Sequence, residues 1–215
     1  MSKKKRKSKL NNTKLLIVIA VVTLLLIIIL VALKPNKETE QKPSDVPVET
    51  PEIEGNWKKE KFSLAGEIYE LMTDYKVLEE DGWLIKDKAD KTLKANEKIY
   101  LEVELEHEKY KDSKVVVGLI NEKTEESKYQ DCKYWAIRVS NDWSETPIEF
   151  SLPGGVKYGS TVEDVEKAYG KPKEDDIYYS EVLKYYEYIY EIDETLLTLV
   201  IYEDRGLVEF EYKSY

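Results

Sequence analysis

Residues 154–161, Gly-Gly-Val-Lys-Tyr-Gly-Ser-Thr, nearly reproduce the spacing of a phosphate-binding loop, G-x-x-x-x-G-K-[ST]. Such a loop aims backbone N–H groups and a helix N-terminus at a phosphate. It also needs a lysine directly after its last glycine, and Ser160 stands there. What remains is turn and cap chemistry: glycines that reverse the chain, then Ser160 or Thr161 as a helix N-cap. His107 is the only histidine, so any Ser/His/Asp or Cys/His nucleophile would have to use it. It lies in ELEHEKY, at the end of an alternating strand, and reads as a solvated surface residue. One His and one Cys (Cys132) are too few for an ordinary His/Cys zinc site. Cys132, in DCKYWAIRV, reads as a small buried apolar side chain, with an intermolecular disulfide as the alternative.

Three acidic clusters stand out: Glu79-Glu80-Asp81, Glu125-Glu126 and Glu174-Asp175-Asp176. Paired carboxylates can hydrolyse glycosides or bind calcium. No D-x-[DN]-x-[DN]-G loop accompanies them, and they read as solvated acidic surface. No catalytic, cofactor-binding or metal-binding residue is expected. The chain does hold 17 tyrosines. Tyr186, Tyr188 and Tyr190 share one face of a strand, and Tyr185 and Ile189 share the other. One face must meet a helix, and an aromatic stripe on the other could bind protein or glycan. Trp143, in the polar stretch SNDWSETP, is the best single exposed anchor. Trp143, Tyr186, Tyr188 and Tyr190 are therefore the candidate interaction surface.

The elements that would position these residues follow a sharp division of charge. Residues 1–14 carry seven basic residues and no acid. Residues 15–33, LLIVIAVVTLLLIIILVAL, carry no charge. As a helix this run is about 28 Å long, close to the hydrocarbon core of a bilayer. No small-x-small cleavage site ends it, so it is expected to be an uncleaved signal anchor. The positive flank predicts a cytoplasmic N-terminus and an extracellular C-terminal domain. Residues 34–56, with four prolines, read as a disordered stalk. The remainder carries 26 basic and 43 acidic residues, a net charge of −17, which argues against nucleic acid and anionic membrane surfaces as partners.

The folded part is expected as two units, 57–149 and 150–215. Offset by 88 residues, FSLAGEIYELMTDYKVLEEDG (62–82) matches FSLPGGVKYGSTVEDVEKAYG (150–170) at seven of 21 positions. The matches are turn glycines, a cap and a helix stop. Each copy predicts a short hairpin, then a helix: one capped by Thr73 and ended by Gly82, the other capped by Ser160 or Thr161 and ended by Gly170. Three strand-like runs follow each helix: 99–105, 114–120 and 134–140, then 182–192, 195–203 and 207–213. Asp193-Glu194 and Asp204-Arg205-Gly206 read as hairpin turns. The fold class expected is α+β: an N-terminal transmembrane helix, then a tandem repeat of hairpin, helix and three-stranded antiparallel meander.

Gly159, Ser160, Thr161, Glu163, Val165, Tyr169, Gly170 and Pro172 carry a resemblance. The pattern resembles the repeat of the β-lactamase inhibitory protein and of small outer-membrane assembly lipoproteins. With its DGW helix end and LPGG…GST…YG.P run, the chain is also similar to membrane-anchored extracytoplasmic proteins of Gram-positive bacteria. The disulfides of the inhibitor and the lipid-acceptor cysteine of the lipoproteins are missing here. Together these readings predict a non-catalytic recognition module in the cell envelope, held in the bilayer through residues 15–33, with an envelope protein or glycan as partner. The alternatives are a carboxylate-based envelope enzyme acting on glycans, or an assembly protein working through its span.

Overall fold

The computed structural model describes residues 50–87 and 90–215. The basic tail, the apolar run 15–33 and the stalk up to residue 49 lie outside the described residues. Among the described residues no helix is long and apolar enough to cross a membrane. The expectation of a transmembrane, signal-anchored protein is corrected accordingly: the described residues supply no such span.

Alternating runs rich in β-branched residues and tyrosine form strands. In chain order these are β1 (Lys61–Leu64), β2 (Glu67–Glu70), β3 (Thr73–Asp74), β4 (Leu84–Ile85), β5 (Thr92–Leu93), β6 (Val103–Glu106), β7 (Lys114–Ile120), β8 (Ser127–Lys128), β9 (Lys133–Ser140), β10 (Phe150–Ser151), β11 (Ile177–Ser180), β12 (Tyr185–Ile192), β13 (Thr195–Tyr202) and β14 (Gly206–Ser214). Among the described residues two short α-helices accompany them, α1 (Lys76–Glu80) and α2 (Val162–Tyr169).

The α+β class with two repeated units is corrected: the protein is mostly β-sheet. One antiparallel sheet runs β11-β12-β13-β14-β9-β7-β6-β4, with β3 also paired to β9. The last strands of the two expected meanders, β9 and β14, pair with each other, Phe210 opposite Val139 and Tyr212 opposite Ile137. The sheet therefore passes straight through the boundary expected at residue 150. A second sheet, β10-β1-β2, joins the two matched stretches directly. Ser63 lies opposite Ser151, its match at the 88-residue offset, and their hydroxyls are 2.7 Å apart.

The first expected helix is cut short for a local reason. Thr73 was to cap it, but Thr73 and Asp74 pair with Tyr134 and Lys133 of β9. Only five helical residues are left, with Tyr75 in the cap position and no side-chain cap. The second helix forms as expected. Thr161 Oγ1 accepts from the Asp164 N–H at 3.2 Å, and Asp164 accepts from the Thr161 N–H at 2.9 Å, a reciprocal capping box. Thr161→Ala is expected to cost about 1 kcal/mol of stability, read as a lower urea midpoint with an unchanged slope.

The small sheet and both helices cover one face of the large sheet. Phe62, Phe150 and Phe210 meet between them, with ring centres 5.8 Å (Phe62–Phe210) and 5.0 Å (Phe150–Phe210) apart. Residues 50–56, expected as the end of a disordered stalk, pack here as well. Ile53 is buried, its carbonyl accepts from the Gly154 N–H, and Pro51 O accepts from Ser151 Oγ. One apolar side chain and two backbone acceptors are enough to hold a proline-bearing segment in place. The other face of the large sheet carries Ile189, Val200, Arg138, Glu209, Glu211 and Lys213 in alternation with the core residues. Residues 98–100 lie over part of it, where Ile99 O accepts from Trp135 Nε1 and Tyr100 reaches Glu211.

Candidate functional site

The phosphate-loop look-alike resolves into a joint. The Gly159 N–H donates to Leu207 O and the Leu207 N–H donates to Ser160 O, each at 2.8 Å. The Lys157 N–H donates to Ser160 Oγ at 3.0 Å. The donors a phosphate would need are already occupied, and Thr161 caps α2 itself. Gly206 sits against this joint with φ +72, in the left-handed region, where its bare Cα allows the two chains to touch.

His107 packs beside the stacked rings of Trp83 (4.7 Å) and Tyr110 (5.1 Å), and its Nδ1 accepts from the Lys109 N–H at 3.1 Å. Among the described residues, no serine, cysteine or carboxylate is hydrogen-bonded to it. Cys132 is buried, free, and close to Lys128 O. Burial pushes its thiol pKa up and removes it from any partner's reach. Among the described residues, no three His, Cys, Asp or Glu side chains are grouped to hold a metal ion.

The tyrosine stripe proposed as a surface is corrected in part. Tyr188 and Tyr190 are only 2% and 7% exposed. Tyr188 Oη donates to Glu166 of α2 at 2.7 Å, and Tyr190 Oη donates to Gly170 O at 2.8 Å. Trp57 and Tyr169 pack on Tyr190. Tyr186, on the same face, is half-buried against Tyr179 and Tyr188. This face is the one that meets the helix.

Trp143 is 81% exposed. It belongs to a different aromatic strip, at one corner of the open sheet face. Tyr178 stands 6.3 Å from Tyr185, and Tyr185 stands 5.3 Å from Tyr202, ring centre to ring centre. The Arg205 guanidinium lies 3.8 Å from the Tyr202 ring and 5.4 Å from the Trp143 ring. Asp142 holds that guanidinium at 2.6 Å and also accepts from Tyr202 Oη at 3.2 Å. Sequence reasoning missed Arg205, which reads only as a turn residue, and Asn141. Asn141 is buried, and its side chain bonds both backbone groups of Ile148, at 2.9 and 2.8 Å, to close the loop that carries Trp143.

Beside the strip runs a ladder of charge. Arg138 bonds Glu211 through Nε at 3.0 Å, and Tyr100 Oη and Lys213 approach the same carboxylate. Glu209 lies opposite Ser140 on this face. Burial raises its pKa above the ordinary 4.5, more than the Ser140 hydroxyl and Arg138 lower it. An acid whose folded pKa is raised binds more protons folded than unfolded. Its penalty is absent below about pH 4 and grows as pH rises through the raised value. Glu209→Gln, which mimics the protonated form, is therefore expected to raise the thermal midpoint at pH 7. The gain should vanish near pH 4.

No protein-family model and no curated protein matches the chain. One solved structure, a DUF4309 family protein (YjgB) from Bacillus subtilis, is similar at 18% identity over 48% of this chain. The match spans 57% of that protein, just over half its length, with a TM-score of 0.27. That score is too low to equate the two folds. The neighbour comes from a Gram-positive bacterium.

Proposed function

We propose that the protein is a non-catalytic recognition module of the cell envelope, and that its binding surface is the open sheet face around Trp143. One observation supports this most. Trp143 is 81% exposed, in a loop closed by Asn141, with Arg205 lying against its ring. An exposed tryptophan costs solubility and contributes nothing to the core. With Arg205 lying between it and the Tyr202 ring, it has the composition of a binding hot spot. The rings and the charged ladder suit a partner with both flat apolar and polar surface, an envelope protein or a glycan. The charge of −17 disfavours nucleic acid.

The test uses the full chain immobilised beside Trp143→Ala and Tyr202→Ala variants. Detergent-solubilised envelope proteins and insoluble cell-wall glycan are passed over each. Retention by the parent and loss by the folded variants is the expected result. Equal retention by all three would remove the strip from the proposal.

A further inference from the structure

The large sheet ends in two edge strands, β4 and β11. β4 is two residues long. β11 is four, IYYS, and pairs with β12 without a bulge. Lysine, proline and bulges commonly guard an edge strand, and β11 has none of them. The two-residue turn Asp193-Glu194 makes Ile192 and Thr195 the closing hydrogen-bonded pair, so β12 serves β13 through its even-numbered residues. Its odd-numbered residues serve β11, where Glu187 lies opposite Tyr178 and Tyr185 opposite Ser180. The backbones of Ile177 and Tyr179 therefore point off the sheet. The Ile177 N–H is taken by Glu174 O. Ile177 O, Tyr179 N–H and Tyr179 O have no partner among the described residues.

Apolar surface gathers beside these free backbone groups. Tyr178, Val182 and Leu183 are 57%, 89% and 53% exposed, three of the eight large apolar side chains left exposed among the described residues. All three lie in β11 or in the turn that follows it. Acids close both ends: Glu174, Asp175 and Asp176 precede the strand, and Glu181 follows it. None of the four is in an ion pair among the described residues. The cations beside them in the chain are Lys173 and Lys184, and Lys184 lies over the Tyr179 ring at 5.8 Å. A second copy added antiparallel would set Asp175 and Asp176 of one chain against Glu181 of the other, and like charges oppose that pairing. A segment with lysine or arginine at both ends meets opposite charge at both ends.

We propose that β11 takes an extended, basic-flanked segment of a partner protein as an added strand. Backbone hydrogen bonds to Ile177 O and to the Tyr179 N–H and carbonyl hold the segment, and the exposed apolar side chains meet its own. Tyr178 stands at the end of the strip that runs through Tyr185 and Tyr202, so an added strand prolongs that strip. The assignment rests on the recognition reading but does not need Trp143, which lies at the strip's other end.

The probe is the fluorescently labelled peptide Lys-Lys-Thr-Val-Thr-Val-Lys-Lys, titrated with the full chain and read by anisotropy. Saturable one-to-one binding is expected, with slower amide hydrogen exchange across 177–180. The same peptide N-methylated at its four central residues keeps its charge but loses its ladder donors. It should bind at least about tenfold more weakly. Glu-Glu-Thr-Val-Thr-Val-Glu-Glu should be weaker by a similar factor. Asp175→Lys combined with Glu181→Lys, both at exposed positions, should reverse that preference. Trp143→Ala should bind the basic peptide as the parent does, which separates this edge from the Trp143 surface. No binding of the basic peptide overturns the proposal. So does equal binding of the N-methylated peptide, since charge alone would then be acting. Loss of the basic peptide in Trp143→Ala overturns it as well, by placing the peptide on the open face.

Discussion

Gly206→Ala is expected to lower stability by about 3 kcal/mol. Two costs combine. At φ +72 a side chain strains the backbone by about 1 kcal/mol. The added Cβ would also stand 2.6 Å from the Gly159 carbonyl carbon and 2.9 Å from Ser160 O, with Gly159 O closer still. These are backbone atoms and cannot swing aside. Relieving the clash means separating Gly159–Ser160 from Leu207 and losing the two hydrogen bonds between them. Gly155→Ala is the control. Its φ is +81, but a Cβ there meets nothing within 4 Å, so only the backbone term applies, about 1 kcal/mol. Urea unfolding followed by tryptophan fluorescence measures both. Against a typical total of about 5–15 kcal/mol, the difference is readily resolved. If Gly206→Ala cost no more than Gly155→Ala, the contact would be slack, and the glycine-rich loop would be free to do something other than join two chains.

That joint marks the division between what local sequence encodes and what it does not. The strand-like run KVVVGLI is expected as a strand over 114–120, and β7 has those bounds. The turns at Asp193 and Asp204–Arg205, the Thr161 cap and the Gly170 stop are all chemistry within a few residues, and they were legible. Thr73 is the same residue as Thr161 in a matched position, yet it became a strand. The difference is Tyr134 and Lys133, sixty residues further on, which offer Thr73 and Asp74 a ladder. No local pattern carries that pairing. The same holds for the β9–β14 seam, which turns two expected units into one sheet. The site was legible to the same extent. Period-two spacing separated the two faces of β12, but which face is buried depends on α2 and on Trp57. Trp143 stood out as an aromatic in a polar loop. Arg205 did not, because it reaches Trp143 only through β9–β14 pairing.

Tyr190→Ala and Trp143→Ala should therefore part company. Tyr190 is packed by Trp57, Tyr169 and Tyr188 and bonds Gly170 O. Removing it empties a ring-sized space under α2 and leaves that carbonyl without its hydroxyl donor. A loss of about 3–4 kcal/mol is expected. Trp143 touches little besides Arg205, so its removal should change stability by less than about 0.5 kcal/mol. For binding the order reverses. An exposed tryptophan at the head of an aromatic strip is expected to contribute about 2 kcal/mol at the contact, roughly a thirtyfold change in affinity. Tyr190→Ala, where it remains folded, should retain near-parental affinity, because its ring faces the core. Thermal unfolding and binding to the captured partner, measured on both variants below the lower melting temperature, separate the two roles. A Trp143→Ala protein that melts early but binds normally would make that loop a structural latch. The binding surface would then have to be sought further along the open face, where Tyr100, Trp135 and Tyr215 cluster around Lys213.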